Sequence, residues 1–83
     1  MAKFLVQSVF ALPKETVLAG IVQDGAITIG MKSQALETMT VVSIESMNKK
    51  ISAANTGMNV GLHVSKLSMK TEASLFGKII DFN

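Results

Sequence analysis

From Lys3 to Leu12 the chain alternates: Phe4, Val6, Ser8 and Phe10 fall on one side, Leu5, Gln7, Val9 and Ala11 on the other. A period of two over residues that suit a pleated surface predicts a strand. Pro13 ends it, because proline has no N–H to give to a ladder, and "LPKE" forms the turn. "TVLAGIVQ" predicts a second strand, and Asp24-Gly25 is a strong turn signal. "AITIG" predicts a short third strand that stops at Gly30. In "MTVVSIESM" the alternation puts Val42 and Ile44 on one face and Val41, Ser43 and Glu45 on the other. "NKKISAANTG" is polar and turn-like. "MNVGLHVSKL" places Val60, Leu62 and Val64 on one face, with Asn59, Gly61, His63 and Ser65 opposite. "SMKTEASLF" suits one helical turn capped by Ser68 or Thr71, and "GKIIDF" is the last strand. About six strands with turn signals every ~8–12 residues predict an all-β chain, either a sandwich or a small closed barrel. Closure is the better expectation, since it removes open edges that would invite aggregation.

Composition bears on what such a chain needs. Its 83 residues make a single domain, 1–83, with no linker or low-complexity tract. With no cysteine there is neither a disulfide nor a thiolate metal site, so a hydrophobic core or a partner must hold the fold. Apolar residues make up 48% and charged residues only 17%, against a usual ~25% charged. A weakly charged surface favours self-association or docking. All eight basic residues are lysines, and the net charge is +2. The absence of arginine removes the rigid fork that grips phosphate and guanine at two points, which argues against sequence-specific nucleic-acid reading. Backbone binding through lysine remains open. No apolar run approaches the ~20 residues needed to span a bilayer. "MAKFLVQSVFALP" begins like a signal peptide, but Gln7 and Ser8 break its apolar stretch. The expected location is the cytoplasm, with no membrane partner.

Candidate chemistry is sparse. Gly20, Gly25 and Gly30 recur at five-residue steps in "ETVLAGIVQDGAITIG", which raises the question of a phosphate cradle. Such a loop needs a lysine and a hydroxyl residue directly after its last glycine. Here Ala26 and Ile27 follow Gly25, and Met31 and Lys32 follow Gly30. β-branched residues continue a strand where a dinucleotide fold would open a helix. The glycines Gly20, Gly25, Gly30, Gly57 and Gly61 are therefore expected at turns and close backbone approaches. The single histidine, His63, shares a polar strand face and is expected to be a solvated ring. The six carboxylates Glu15, Asp24, Glu37, Glu45, Glu72 and Asp81 are scattered along the chain, with no pair placed to tune acid–base chemistry. No catalytic residue, metal ligand or cofactor site is expected, and the chain is read as non-enzymatic. The methionines are expected to pack at the core or rim. Lys49-Lys50, beside Asn48 and near Glu45, is the one local basic spot, either a solvated loop or a pair that binds phosphate backbone.

The residues also carry a resemblance. Phe4, Val6, Val9 and Phe10, then Thr16, Val17, Gly20, Val22, Gly25, Ile27 and Gly30, resemble the opening of the second domain of elongation factor Tu and related translational GTPases. Val42, Ser43, Ile44 and Glu45, followed by Gly57, Asn59, Val60, Gly61 and Leu62, are similar to that family's central segment without a gap. "LFGKIIDF" resembles its closing strand, so the likeness covers nearly the whole chain. It implies a six-stranded Greek-key closed β-barrel and a role in binding tRNA, ribosomal RNA or a translation protein. It also implies that Glu45 belongs to a partner-binding site. Asn48 stands where the family has an arginine, Ile21 replaces another arginine, and Met31 an acidic residue. These changes make the surface more apolar and fit a barrel without neighbouring domains, which points to the alternative of homo-oligomers or a protein partner. The candidate binding residues are thus Glu45, Asn48, Lys49 and Lys50. The GTPase motifs are missing, so no GTP binding is expected from this chain alone.

Overall fold

The computed structural model describes residues Met1–Asn83. The chain is all-β with one short helix. Its strands are β1 (Ala2–Ala11), β2 (Glu15–Asp24), β3 (Ala26–Thr28), β4 (Lys32–Ser33), β5 (Met39–Ser46), β6 (Lys49–Ile51), β7 (Ala53–Asn55), β8 (Asn59–Ser65) and β9 (Ile79–Phe82), with helix α1 (Met69–Ser74) before the last. Six of them lie in the order β4-β5-β8-β2-β1-β9, every pair antiparallel. The ring is nearly closed. Lys32 N donates to Asn83 O and Asn83 N to Lys32 O, both at 2.8 Å, making one rung between the β4 and β9 ends. In the ring, β4, β5 and β8 are successive neighbours, and β9 returns to lie beside β4, which is a Greek key. The remaining strands decorate this barrel: β6 extends β5, and β3 pairs with β7 as a separate ribbon.

Inward-facing residues fill the barrel. Leu18 and Val22 from β2, Leu62 and Val64 from β8, and Phe4 and Phe82 from β1 and β9 are all buried. The two phenylalanine rings meet edge-to-face with centroids 6.5 Å apart, the offset their quadrupoles prefer. Helix α1 closes one end, with Leu67 and Leu75 on either side of it both buried. Its N-cap is Ser68, whose hydroxyl accepts from Thr71 N at 3.2 Å. Under the helix, the buried Thr16 hydroxyl donates to Glu72 Oε2 at 2.5 Å and accepts from Leu67 N at 3.1 Å. The Thr16 hydrogen bond holds the Glu72 carboxyl below the usual carboxylate range, with burial opposing and Lys66 assisting.

Three strands depart from simple alternation; in β2 the shift falls near the end, where Lys3 pairs with Asp24 and Phe4 with Val22, leaving Gln23 as the extra residue. In β1, Val6 pairs with Gly20 and Ser8 with Ala19, so Gln7 is an extra residue. Such a bulge reverses which face the following residues take. Phe4 and Val6 point inward as expected, but Ser8 turns half-outward, Val9 packs toward the core and Phe10 is exposed. In β5, Val41 pairs with Val64 and Ser43 with His63, which leaves Val42 as the extra residue. Val41 and Ile44 therefore share the core, while Val42 faces out, contrary to the alternating expectation. The polar "NKKISAANTG" segment is not simply a turn, since it contains β6 and β7. Met47 and Asn48 both have positive φ, at 52° and 65°, the two-residue turn whose twist matches flanking strands. The segment "AITIG" forms strand only over Ala26–Thr28.

The glycines divide as well. Gly25, Gly30 and Gly57 have positive φ at turns, as expected. Gly20 and Gly61 are not turn residues but lie inside β2 and β8. At Gly20 the bulged β1 comes so near that a Cβ would sit 1.9 Å from Leu5 O. Only glycine fits there.

Candidate binding surface beside the β5–β6 hairpin

Register decides which outward residues meet. Residues directly opposite on antiparallel strands share a face. One outer row runs Phe10, Val17, His63, Ser43, and the next runs Ser8, Ala19, Gly61, Glu45, Lys50. The second row crosses the barrel wall with small residues in its middle. Ala19, Gly61 and Glu45 of this row, together with Gln7, Asn59 and Met47 among others, line a shallow depression of about 280 Å³. A Cβ on Gly61 would meet only Val17 Cγ1 at 3.5 Å, an ordinary contact. The fold does not require glycine at this position, and its bare backbone leaves the floor of the depression open. Gln7, Asn59 and Glu45 supply hydrogen-bonding edges around that floor, and Met47, 92% exposed, overhangs it from the hairpin turn.

His63 is the largest departure from the sequence reading. Its ring is not solvated: Nδ1 is hydrogen-bonded to the Glu15 carboxylate and Nε2 to Glu45 Oε1 at 2.5 Å. The side chain is only 15% exposed. Carboxylates on both sides accept best from a ring that carries both protons. Burial alone pulls the imidazole toward neutrality, but the hydrogen bonds and charges of Glu15 and Glu45 outweigh it and hold its pKa above the ordinary value. The result is a clasp across β2, β8 and β5. With both nitrogens engaged, the ring has no free lone pair to act as a general base. Glu15 and Glu45 stand at opposite edges of the ring, so they do not converge with it on one ion, and no group of three or more His, Asp or Glu is arranged to hold a metal. No sequence spacing announced this clasp, because Glu15 and Glu45 lie 48 and 18 residues from His63. They reach it as diagonal neighbours in register, Glu15 two residues before Val17 and Glu45 two after Ser43.

All the sequence-level candidates, Glu45, Asn48, Lys49 and Lys50, sit on the β5–β6 hairpin, but they do not act alike. Glu45 reaches both the depression and His63. Asn48 forms the exposed turn. Lys50 lies opposite Glu45 and Lys49 opposite Ser46. Successive strand residues point to opposite faces, so the two lysines do not make a joint clamp. Gln7, Ala19, Asn59 and Gly61 were not marked as site residues by the sequence; Gln7 joins them only because the β1 bulge re-aims that stretch.

No protein-family model matches the chain, and no curated protein matches it. No helix is long and apolar enough to cross a membrane.

Proposed function

We propose that this protein is a non-enzymatic, translation-factor-type β-barrel of the cytoplasm that binds RNA or a translation protein at the depression beside the β5–β6 hairpin. The observation that carries the reading is the depression itself. A flat floor of Ala19 and Gly61, edged by the amides of Gln7 and Asn59 and the carboxylate of Glu45, suits a planar, hydrogen-bonding group such as a nucleobase. Lys50 at the end of the same row offers one phosphate contact. The resemblance to the second domain of elongation factor Tu supports tRNA or ribosomal RNA as the class. Fluorescence anisotropy with labelled tRNA and a ribosomal RNA fragment tests it. Binding should weaken as salt rises, and Lys50→Ala should lower both the affinity and the salt slope, by about 0.7 per lost single-strand contact. Gly61→Val, which fills the floor, should abolish binding. Salt-independent binding, or none to either RNA, rejects the RNA reading.

A second reading, an adaptor that binds a protein or a second copy without RNA, is favoured by another outer row. Ile79, Leu5 and Ile21 lie side by side across β9, β1 and β2, and Ile79 is 57% exposed. Size-exclusion chromatography distinguishes it: a dimer dispersed by Ile21→Arg supports the adaptor, and a monomer at high concentration rejects self-association.

A further inference from the structure

The barrel seam has an open stretch. Lys32 and Asn83 exchange both backbone hydrogen bonds across it. In an antiparallel ladder the N–H and C=O of one residue point to the same side, and those of the next residue to the other. Asn83 faces β4, so Phe82 and Ile80 face β1, while Asp81 and Ile79 face β4. The other side of β9 agrees. Lys78 O, of the same parity as Ile80, accepts from Val6 N at 2.9 Å. Beyond the Lys32–Asn83 rung, the next one would join Gln34 to Asp81. The chain instead leaves the strand after Ser33, and no backbone hydrogen bond crosses the seam from Gln34, Asp81 or Ile79. A cleft of about 550 Å³ opens there, lined by Lys32, Gln34, Ala35, Ile79 and Asp81 among others.

We propose that this cleft takes an extended peptide segment of another protein, added to β9 as a short antiparallel strand. The N–H and C=O of Ile79 and of Asp81 form a donor–acceptor pattern that repeats at strand spacing, which an extended backbone matches and a compact ligand does not. Asp81 is already paired with Lys3 at 2.9 Å, whereas the Lys32 ammonium donates to the neutral Thr40 hydroxyl at 3.0 Å and keeps its charge. The segment therefore carries no basic residue where it pairs, and it has an apolar side chain beside the exposed Ile79. The Lys32–Asn83 rung blocks one end, so the segment enters from the Lys78 end. No residue lining this cleft also lines the depression at the hairpin, so the two sites are tested separately.

Proline substitution tests the proposal, because proline removes one N–H and is tolerated where that N–H faces an open edge. Ile79→Pro and Asp81→Pro should stay folded, whereas Ile80→Pro, whose N–H faces β1, should lower the melting temperature sharply. A phage-displayed library of random linear heptapeptides, panned on the wild-type protein, should yield clones that bind Ile79→Pro and Asp81→Pro about tenfold more weakly, the loss of one backbone hydrogen bond. Adding a synthetic heptapeptide of an enriched sequence should shift the Ile79 and Asp81 amide resonances and slow their hydrogen exchange. Four results overturn the proposal. In one, Ile79→Pro or Asp81→Pro unfolds, which means those N–H groups are already in use. In another, the two amides exchange slowly in the free protein at every concentration. In a third, their protection grows with protein concentration alone, which makes a second copy the occupant. In the last, no clone is enriched, or enriched clones bind the proline variants unchanged.

Discussion

Strands β1 and β2 pair along nearly their whole length, from Lys3–Asp24 to Ala11–Thr16, whereas β4 and β9 meet at a single rung. The first region is a continuous wall. Its inner face is core, and on its outer face Ala19 meets Gly61 of β8 to form the small-residue floor, next to the His63 clasp that ties β2 to β8 and β5. The second is a seam, held shut from inside by Phe82 and Ile80 rather than by its own ladder. Hydrogen bonds exchanged with water contribute modestly each, while burial of large side chains dominates. A barrel can therefore afford one weak seam if the strands flanking it are anchored in the core.

The sharpest way to break the wall is Gly20→Ala. Its Cβ would collide with Leu5 backbone oxygen, which cannot move without moving β1. The expected loss is on the order of 4 kcal/mol or more, read by urea denaturation, and a mild effect would show that the bulge relaxes. The seam should break through its anchor: Phe82→Ala should cost about 3–5 kcal/mol and speed exchange of the Lys32 and Asn83 amides beyond that of the β1–β2 amides. Equal acceleration in both regions would erase the contrast between wall and seam.

The clasp on the wall gives a pH signature. Because the His63 pKa is raised on folding, its stabilising contribution is complete below the unfolded value of about 6.5 and is lost as pH rises through the folded pKa. Wild-type stability should therefore decline as pH rises above about 6.5, and His63→Gln should flatten that decline. A profile unchanged in the variant would mean that the clasp contributes nothing. Smaller still, Ser68→Ala should cost about 1 kcal/mol by removing the α1 cap. Gly61→Ala should shift stability by no more than about 0.5 kcal/mol, the outer-face counterpart to the large effect at Gly20. A large loss at Gly61 would mean that the floor is structural rather than an open surface.

Much of the fold was legible because strand signals are local. The inward set Val60, Leu62 and Val64 and the turn at Asp24-Gly25 follow from short-range pattern and backbone preference, which also narrowed the α1 cap to Ser68 or Thr71 without choosing between them. The faces of β1 and β5 were legible only up to Gln7 and Val42. A bulge adds one residue to the count, and nothing in the alternation marks where it falls; β1 arches over Gly20 because the partner strand has no side chain there. Candidate residues on one hairpin could be picked out together because they are neighbours in sequence.

What the sequence by itself determined is an apolar, cysteine-free, lysine-only chain of short strands whose glycines and single proline punctuate it into a barrel. Tertiary structure alone decided three things. It set the register that brings Glu15 and Glu45 to opposite sides of His63, it assembled the floor from two strands, and it ended the β4–β9 ladder after one rung. Each depends on which strands become neighbours. That is settled by how the whole core packs around Phe4 and Phe82, and not by any local preference of the residues concerned.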